Sequence, residues 1–426
     1  MLSLSVSILF ATVSQGQWVK QTSPTTQMLN EIFILNPTTL FVAGDNQTIL
    51  KTTNGGATWI KLKEYYGSFE LIGIYFQNEN TGIAVGGMYI GGNNKGAIFR
   101  TTNGGTTWDS TAINKICFRK LCFINSTTGF AGGWKSAPVL PLFKTTNGGI
   151  NWVQVNNVPF LDAVTAISFI NENTGWAAGD SLDVQGVIKT TNGGINWFKT
   201  TNFSGQFHGQ IFSSTFINEN TGWLTGVRFF PTWTGLIMKT TDGGFNWAFQ
   251  ENHCYNEVYE IFFINENTGW VGSDGPLMQK TTNGGVNWNI QPIPAQSWCH
   301  GVKFIDANTG WSVSGMGDIL YTVNGGGTVF VQNISTEVPL YYVLNQNYPN
   351  PFNPSTKIRY SIVKSGFVKL VVFDALGREV ETLVNQSQQA GTYEASFTSA
   401  NYPSGVYFYK LTTGDFSSVK KMVLLK

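Results

Sequence analysis

The chain has 426 residues, of which 42% are apolar and 14% aromatic, enough for extensive buried cores. Only 12% of the residues are charged and the net charge is +1, which excludes the dense basic surface of a nucleic-acid-binding protein. The four cysteines match no zinc-type CxxC pair and are too few for a disulfide scaffold.

Residues 1–16 contain an apolar run of signal-peptide length that ends in small and polar residues. Ser14 and Gly16 are suitably placed for cleavage before Gln17, so we expect an exported protein. No lysine or arginine precedes the run, which favours the alternative of a buried first strand. No later stretch reaches the ~20 apolar residues of a membrane span, so we predict no transmembrane segment.

Two short phrases recur seven times along the chain. They are clearest as "FINENTGWAAG" at 169–179 and "KTTNGGINW" at 189–197, and the Asn or Asp of the second phrase recurs every 41 to 50 residues. Short β-rich runs alternate with Asn–Gly turns, and no helical period appears. Four antiparallel strands in a unit of ~40–50 residues are typical of a β-propeller blade, so the sequence predicts an all-β, seven-bladed β-propeller over residues 17–335.

Ring closure has two candidates for one edge of the seventh blade. "QWVKQTS" at 17–23 resembles a fourth strand without its first three, so we predict that it completes this blade. The segment "TVFVQNI" at 328–334 could claim the same edge. From the sequence alone, either strand could form the edge of the seventh blade.

Each complete copy of the second phrase carries the same polar turn and tryptophan. Thr52, Asn54, Gly56, Thr58 and Trp59 match the Asp-box pattern, and the repeats resemble the Asp-box (BNR-like) propellers of bacterial sialidases and sortilin-type receptors. The "NENTGW" phrase is most similar to the propellers of photosystem II assembly factor-like proteins. The resemblance implies that the box lies at the turn between the third and fourth strands and is structural. The structural box residues are Asn54, Trp59, Asn103, Trp108, Asn147, Trp152, Asn192, Trp197, Asp242, Trp247, Asn283 and Trp288.

Differences between the units indicate where a ligand binds. The two repeated turns share one face of a propeller, so the variable loops between strands two and three, and those joining blades, gather on the opposite face. These loops are rich in aromatic residues, which suit sugar stacking or a protein hot spot. The candidate ligand-binding residues are Tyr89, Trp134, Arg228, Trp233, Trp298 and His300, with Arg228 as the charged anchor.

The histidines are candidate metal ligands, and two of the cysteines are a candidate disulfide. His208, His253 and His300 enter consecutive blades but lack metal-ligand spacing, so we predict neither a metal nor a cofactor. Cys254 and Cys299 enter neighbouring blades, which makes them a candidate disulfide of an oxidising compartment.

An enzyme is the alternative to a binding protein. The resemblance implies that a sialidase uses three arginines to bind a carboxylate, but the propeller has only Arg100, Arg119 and Arg228, and Arg100 occupies a lysine position of the repeat. The candidate carboxylates for glycoside hydrolysis are Glu64, Glu70, Asp162, Asp183, Glu257 and Glu260. We expect a non-enzymatic, monomeric protein that binds a polysaccharide or a protein, with an extracellular polysaccharide-acting glycoside hydrolase as the alternative.

The last ninety residues carry no copy of the repeat. Alternation in "VKLVVF" and "VYFYKL" predicts a small Ig-like β-sandwich at 347–426, after a linker at 336–346. "NYPNPFNP", "DALGREV", "GVYFYKL" and "KKMVLLK" closely resemble the type A C-terminal sorting domain of type IX secretion. The resemblance implies passage through the periplasm, contact with the type IX machinery, and a final location outside the cell or on its outer surface.

Overall fold

The computed structural model describes residues 18–425 except 66, 91–92, 157, 160–161, 182–183, 204–207, 231–232, 253, 255, 276, 292, 295–297, 327–330, 336 and 399–401. The predicted signal peptide lies outside these residues. The chain divides into two compact units, one of which comprises Lys20–Gly326. Within the described part, the only helical element is a 3₁₀ turn at Gly315–Gly317, and no helix there is long and apolar enough to cross a membrane.

Seven four-stranded antiparallel sheets build the first unit and confirm the predicted seven blades. Blades one to six each use four consecutive strands, and blade seven combines the last three strands with the first. The strands up to blade three are β1 (Val19–Gln21), β2 (Leu29–Ile34), β3 (Leu40–Gly44), β4 (Ile49–Thr52), β5 (Ile60–Lys63), β6 (Glu70–Phe76), β7 (Gly82–Met88), β8 (Lys95–Thr101), β9 (Asp109–Asn114), β10 (Ile116–Phe123), β11 (Gly129–Lys135), β12 (Leu142–Thr145) and β13 (Val153–Gln154).

The remaining strands of the propeller follow the same plan. They are β14 (Ala166–Phe169), β15 (Gly175–Ser181), β16 (Val184–Thr190), β17 (Phe198–Asn202), β18 (His208–Phe216), β19 (Gly222–Phe230), β20 (Thr234–Thr240), β21 (Ala248–Phe249), β22 (Val258–Phe263), β23 (Gly269–Ser273), β24 (Met278–Thr281), β25 (Asn289–Gln291), β26 (Cys299–Phe304), β27 (Gly310–Ser314) and β28 (Ile319–Thr322). The first strands of the seven blades contact one another in a closed cycle, which makes them the inner wall of a ring.

The N-terminal strand closes this ring. Blade seven has the order β1-β28-β27-β26, so the segment at 17–23 takes the edge for which two strands were candidates. The ring needs this closure because an unpaired edge would leave the hydrogen-bonding groups of β28 exposed.

The competing strand belongs to the second unit. Two four-stranded sheets, with orders β29-β34-β31-β30 and β33-β32-β35-β36, share one apolar core there. The propeller sheets therefore end before the predicted boundary at 335, and the predicted linker contains β30. The strands are β29 (Val331–Ser335), β30 (Val343–Leu344), β31 (Ser355–Ile362), β32 (Gly366–Phe373), β33 (Glu379–Gln388), β34 (Gly391–Thr398), β35 (Gly405–Thr413) and β36 (Phe416–Leu424).

The repeated Asn–Gly turns are closed by their own side chains. In blade one, Asn54 Oδ1 accepts hydrogen bonds from Thr52 Oγ1 and from the Thr58 amide, both at 2.9 Å. Gly55 and Gly56 have φ values of 68° and 87°, a left-handed conformation that glycine adopts without steric cost. The threonine-to-Asn/Asp bond recurs in all seven turns at 2.8–3.1 Å. The turn is therefore a self-contained structural unit.

The box tryptophans occupy rotationally equivalent positions. In blades two to six, each packs edge-to-face on the last phenylalanine of its own first strand, with ring centroids 5.9–6.0 Å apart. Trp59, Trp197 and Trp288 are buried, and Trp108, Trp152 and Trp247 are half-buried.

A second set of tryptophans, from the "NENTGW" phrase, crosses the seams between blades. Trp270 of blade six is fully buried, stacks on Phe304 of blade seven at 3.6 Å, and donates a hydrogen bond from Nε1 to the Gly325 carbonyl at 2.9 Å. Lys280 Nζ lies 5.1 Å from the Trp270 ring centroid. The same stack recurs for Trp176 on Phe216 at 3.7 Å and for Trp223 on Phe263 at 3.6 Å. The stack of lysine, tryptophan and phenylalanine thus recurs at three of the seven seams.

Four charged side chains, two buried glutamates and two half-buried lysines, meet across the middle of the ring. Lys120 Nζ of blade three lies 3.0 Å from a carboxylate oxygen of Glu260 in blade six and 3.5 Å from one of Glu31 in blade one. Lys303 Nζ of blade seven lies 2.7 Å from Glu260 and 3.3 Å from Glu31. Burial alone would raise the pKa of Glu260, but Lys120 and Lys303 outweigh it and hold that pKa below its usual range. We call these four residues the charge network.

Removing one seam tryptophan tests the seams. The change Trp270→Ala should lower the free energy of unfolding by about 3–5 kcal/mol, because it leaves a cavity and an unpaired Gly325 carbonyl. Urea titration of the purified chain measures this, with Trp233→Ala as the matched control, since Trp233 is 55% exposed and should change stability by no more than about 0.5 kcal/mol. Equal stability of the two variants would contradict a structural role for the seam stack.

Removing one carboxylate tests the charge network. In Glu260→Gln, Lys120 and Lys303 lose one shared partner, so we expect a loss of about 3–5 kcal/mol at pH 7. The pKa of Glu260 in the folded state is depressed to about 2, so its contribution is complete above the unfolded pKa and is lost progressively as the pH falls from about 5 through about 2. Urea titrations across pH 3–7 should therefore show a shallower pH dependence for Glu260→Gln than for the wild type. Glu219→Gln, an exposed carboxylate on the turn face, should keep the wild-type profile.

Candidate functional site: the mouth of the central channel

A cavity of about 400 Å³ lies at the end of the channel where the variable loops meet. Its lining comes mainly from the first strands of the blades, with Asp45 and Trp134 added from the ends of two second strands, β3 and β11. The charge network supplies Glu31, Lys120 and Glu260 to the same lining. We call this space the channel-mouth cavity.

One backbone feature, repeated in six blades, positions the lining. The first strand carries a β-bulge where one residue is skipped in the pairing with the second strand, and a bulge redirects the side chain of the skipped residue. All six skipped residues line the cavity, and Thr165 lines it from the matching position before β14. The skipped residues are Asn30, Ile72, Arg119, Phe212, Tyr259 and His300.

Blades five to seven form the aromatic wall of the cavity. The rings of Phe212 and Tyr259 stack at 5.7 Å, and those of Tyr259 and His300 at 4.3 Å, with Trp298 6.1 Å from His300. Burial lowers the pKa of His300 to about 4, so the imidazole is neutral at pH 7. Its Nε2 atom is buried and has no hydrogen-bond partner in the part of the chain that the structure describes. The wall is thus apolar in character with one unused polar atom.

Blades one to three form a charged wall. Arg119 donates to Glu70 Oε2 at 2.8 Å and lies 3.9 Å above the Trp134 ring. Asn30 Nδ2 donates to Asp45 Oδ1 at 2.9 Å. Burial raises the pKa of Asp45, with a smaller contribution of the same sign from Glu70. Arginine and asparagine thus hold two carboxylates at this side of the cavity.

The six predicted ligand-binding residues fall into two places. Trp134 and His300 line the cavity, Tyr89 packs edge-to-face on Trp134 at 5.8 Å, and Trp298 lies beside His300. Arg228 and Trp233 lie apart from it, on the β19–β20 side of blade five.

Arg228 and Trp233 contact aromatic residues of their own blade. Arg228 lies 5.7 Å from the ring of Phe249 on the fourth strand of the same blade, and Trp233 lies 4.6 Å from Phe229. Neither residue lines the cavity, so Arg228 as the charged anchor of a ligand stays a prediction for a separate surface. The arginine that lines the cavity is Arg119.

Most of the bulge residues were not predicted from the sequence. A signal was available, because in every unit this position follows an apolar residue in the first part of the unit, as in "LNE" at 29–31 and "VYE" at 258–260. The side chain at that position differs in all seven units, whereas the residue before it is always apolar. Variation within a repeated strand, and not only variation between loops, therefore marks the site.

The predicted disulfide between Cys254 and Cys299 is wrong, since both are free and buried. Cys254 packs near Gly235 of blade five and Cys299 near Gly272 of blade six, so each thiol fills its own seam, one blade apart. Burial raises the pKa of Cys254 to about 11 and that of Cys299 to about 12, which keeps both thiols protonated.

The other sequence candidates are distributed as follows. Glu70, Glu257 and Glu260 line the cavity, whereas Glu64 and Asp162 form ion pairs with Lys61 and Lys135. His253 and Asp183 lie outside the described residues. Among the residues that are described, no three His, Cys, Asp or Glu side chains are grouped to hold a metal ion.

Solved β-propellers share the fold of this chain. YCF48 bound to D1 peptide has 15% identity and a TM-score of 0.54, over 72% of this chain and 97% of that one. YCF48 from Cyanidioschyzon merolae has 15% identity and a TM-score of 0.53, over 72% and 98%. The WD40 β-propeller domain of Doa1 has 12% identity and a TM-score of 0.53, over 71% and 96%. At these identities the likeness concerns the fold alone, and no curated protein matches the chain in sequence.

The C-terminal unit has a family match of its own. Residues 346–425 match the family model of the secretion system C-terminal sorting domain. This match agrees with the resemblance of "NYPNPFNP" and "KKMVLLK" to type IX sorting domains. The chain therefore ends in a sorting domain that directs it, by type IX secretion, to the cell surface or the extracellular space.

Proposed function

We propose that this protein is an exported β-propeller that binds a macromolecule, a polysaccharide or a protein, through the channel-mouth cavity and the loops around it. One observation carries the proposal: six bulges place six different side chains around one cavity, on a ring that is otherwise repetitive. A binding site on a symmetric ring needs such asymmetry, because seven identical positions could not orient a ligand.

The aromatic wall supports binding of a large ligand. Tyr, Trp and His rings give much contact area for little loss of conformational entropy, and each carries a polar atom that can fix orientation. Tyr89 and Trp298 are 62% and 42% exposed beside the cavity, so the contact surface extends beyond it. A cavity of about 400 Å³ with an exposed aromatic margin suits one anchoring group of a larger molecule.

The solved structures are compatible with a protein ligand. One of the propellers with a similar fold, YCF48, is bound to a peptide. The fold can therefore present a peptide-binding surface, although the likeness does not carry the ligand itself to this chain.

Glycoside hydrolysis is the second candidate, and Asp45 is the observation in its favour. Its pKa is raised by burial and it lies near Glu70, and hydrolysis needs one protonated and one ionised carboxyl group. Against it, Glu70 is bound by Arg119, and Glu31 and Glu260 are bound by lysines. Three of the five carboxylates of the cavity are thus engaged within the protein, which supports binding over catalysis.

A binding screen tests the proposal. We expect the mature chain to bind members of a combined glycan and surface-protein array, and the double variant Trp134→Ala/Tyr259→Ala to weaken that binding by about 1–3 kcal/mol. Released reducing sugar, assayed in parallel, would instead favour the hydrolase. The matched control is Arg228→Ala/Trp233→Ala at the blade-five site. Loss of binding in the control alone would place the site there and contradict the proposal.

Truncation tests the export step. A chain that ends at residue 326 keeps all seven blades but lacks both C-terminal sheets, so it should fold and remain in the periplasm of a cell with type IX secretion. Immunoblots of periplasm and medium, with the full chain as control, measure the distribution. Appearance of the truncated chain in the medium at the level of the full chain would show that the sorting domain is not the export signal.

A further inference from the structure

The channel-mouth cavity contains more negative than positive charge. Five carboxylates line it, and its cations are already paired: Arg119 with Glu70, and Lys120, together with Lys303 beneath, with Glu31 and Glu260. Asp45 and Glu257 are the two that remain, and neither forms an ion pair in the described part of the chain. The cavity therefore has two carboxylates with no cation of their own.

The aromatic wall lies in the same cavity as these carboxylates. Aromatic faces attract cations, and a desolvated cation over a ring gains roughly 2 kcal/mol or more. This chain already uses that contact, because the Arg119 guanidinium lies 3.9 Å above the Trp134 ring. Phe212 and Tyr259 also line the cavity and offer apolar contact for an aliphatic stem, and His300 adds no positive charge because it is neutral at pH 7.

Building on the proposed function, we infer that the ligand is a protein that inserts a lysine or arginine side chain into the channel-mouth cavity. The cationic group meets Asp45 and Glu257, and the aliphatic stem lies along Phe212 and Tyr259. Burial disfavours the charge of Asp45, and an incoming cation would offset that cost.

The same charges argue against a polysaccharide. An acidic sugar would be repelled by Asp45 and Glu257. A neutral sugar would bury these carboxylates further without neutralising them, and burying an unpaired charge is costly. Only a cationic group satisfies both walls of the cavity at once.

Isothermal titration calorimetry of the mature full-length chain tests the inference with defined probes. These are three nine-residue Gly/Ser peptides, whose central three residues are Lys-Arg-Lys, Glu-Glu-Glu or Ser-Ser-Ser, together with the neutral sugars maltohexaose and cellohexaose. We expect measurable binding of the Lys-Arg-Lys peptide alone, weakened by a rise in NaCl from 50 to 500 mM.

Variants assign that binding to the cavity. Asp45→Asn and Glu257→Gln should each weaken it about tenfold, since each removes one partner of the cation. Tyr259→Ala should weaken it without changing any charge. Glu219→Gln is the matched control, because it removes one carboxylate from the opposite face, and its affinity should equal that of the wild type. Melting curves confirm folding, and the half-buried Glu257 tolerates the isosteric change even if Asp45→Asn does not fold.

Two results would overturn the inference. One is binding of a neutral sugar without binding of the Lys-Arg-Lys peptide, which would leave the proposed binding function intact. The other is equal affinity of that peptide for the wild type and for Glu257→Gln and Tyr259→Ala, which would show attraction to general surface charge. An array screen with no ligand of any kind would instead count against the proposed function itself.

Discussion

The contact between neighbouring blades is the constraint on which the rest of this propeller depends. A single four-stranded sheet has two faces and buries neither alone, so each blade is stable only against its neighbours. At three seams a stack satisfies this need with one lysine, one tryptophan and one phenylalanine, as in Lys280, Trp270 and Phe304. The indole N–H donates to the next blade, so the stack fixes the spacing of the blades as well as burying apolar surface.

Repeated contacts limit where the units can differ. Residues of the turns are bound by the same contacts in each blade, and those of the stacks by the same contacts at three seams, so a change there would cost stability. The bulge position is free of that limit because its residue is skipped in the ladder and faces the channel instead of a seam. The same β-bulge therefore accommodates an amide at Asn30, a guanidinium at Arg119 and a ring at Tyr259. Stability and recognition are assigned to different positions of one repeat.

The sequence predicted those features whose cause is local. The number of blades follows from turns that close on themselves, as Asn54 does with Thr58, and such chemistry is visible in every copy. The charge network was not predictable in this way, because Glu31 and Lys120 come from units that only ring closure brings together. The assignment of Cys254 and Cys299 as a disulfide failed for the same reason, since entry into neighbouring blades does not bring two thiols into one seam.

The strand that pairs with the edge of β28 could not be predicted from the repeats alone. The segments β1 and β29 are both short strands, and either could pair with β28 by pattern alone. The structure pairs β29 with β34 in the C-terminal unit, which leaves β28 to β1. The outcome depends on an edge offered by a domain that carries no copy of the repeat, so the propeller repeats could not reveal it.

The charge network and Asp45 of the channel-mouth cavity differ in whether a carboxylate is paired with a cation. In the charge network, two lysines and two glutamates neutralise one another, and Glu260 and Lys303 are held charged by their partners despite desolvation. In the channel-mouth cavity, the half-buried Asp45 accepts a hydrogen bond from the neutral amide of Asn30 and forms no ion pair in the described part of the chain, and its pKa rises instead of falling. Desolvation thus has opposite outcomes at the two places, decided by whether a cation pairs with the carboxylate. The network closes the channel on itself, whereas the cavity above it remains an acidic and aromatic site whose missing component is a positive charge.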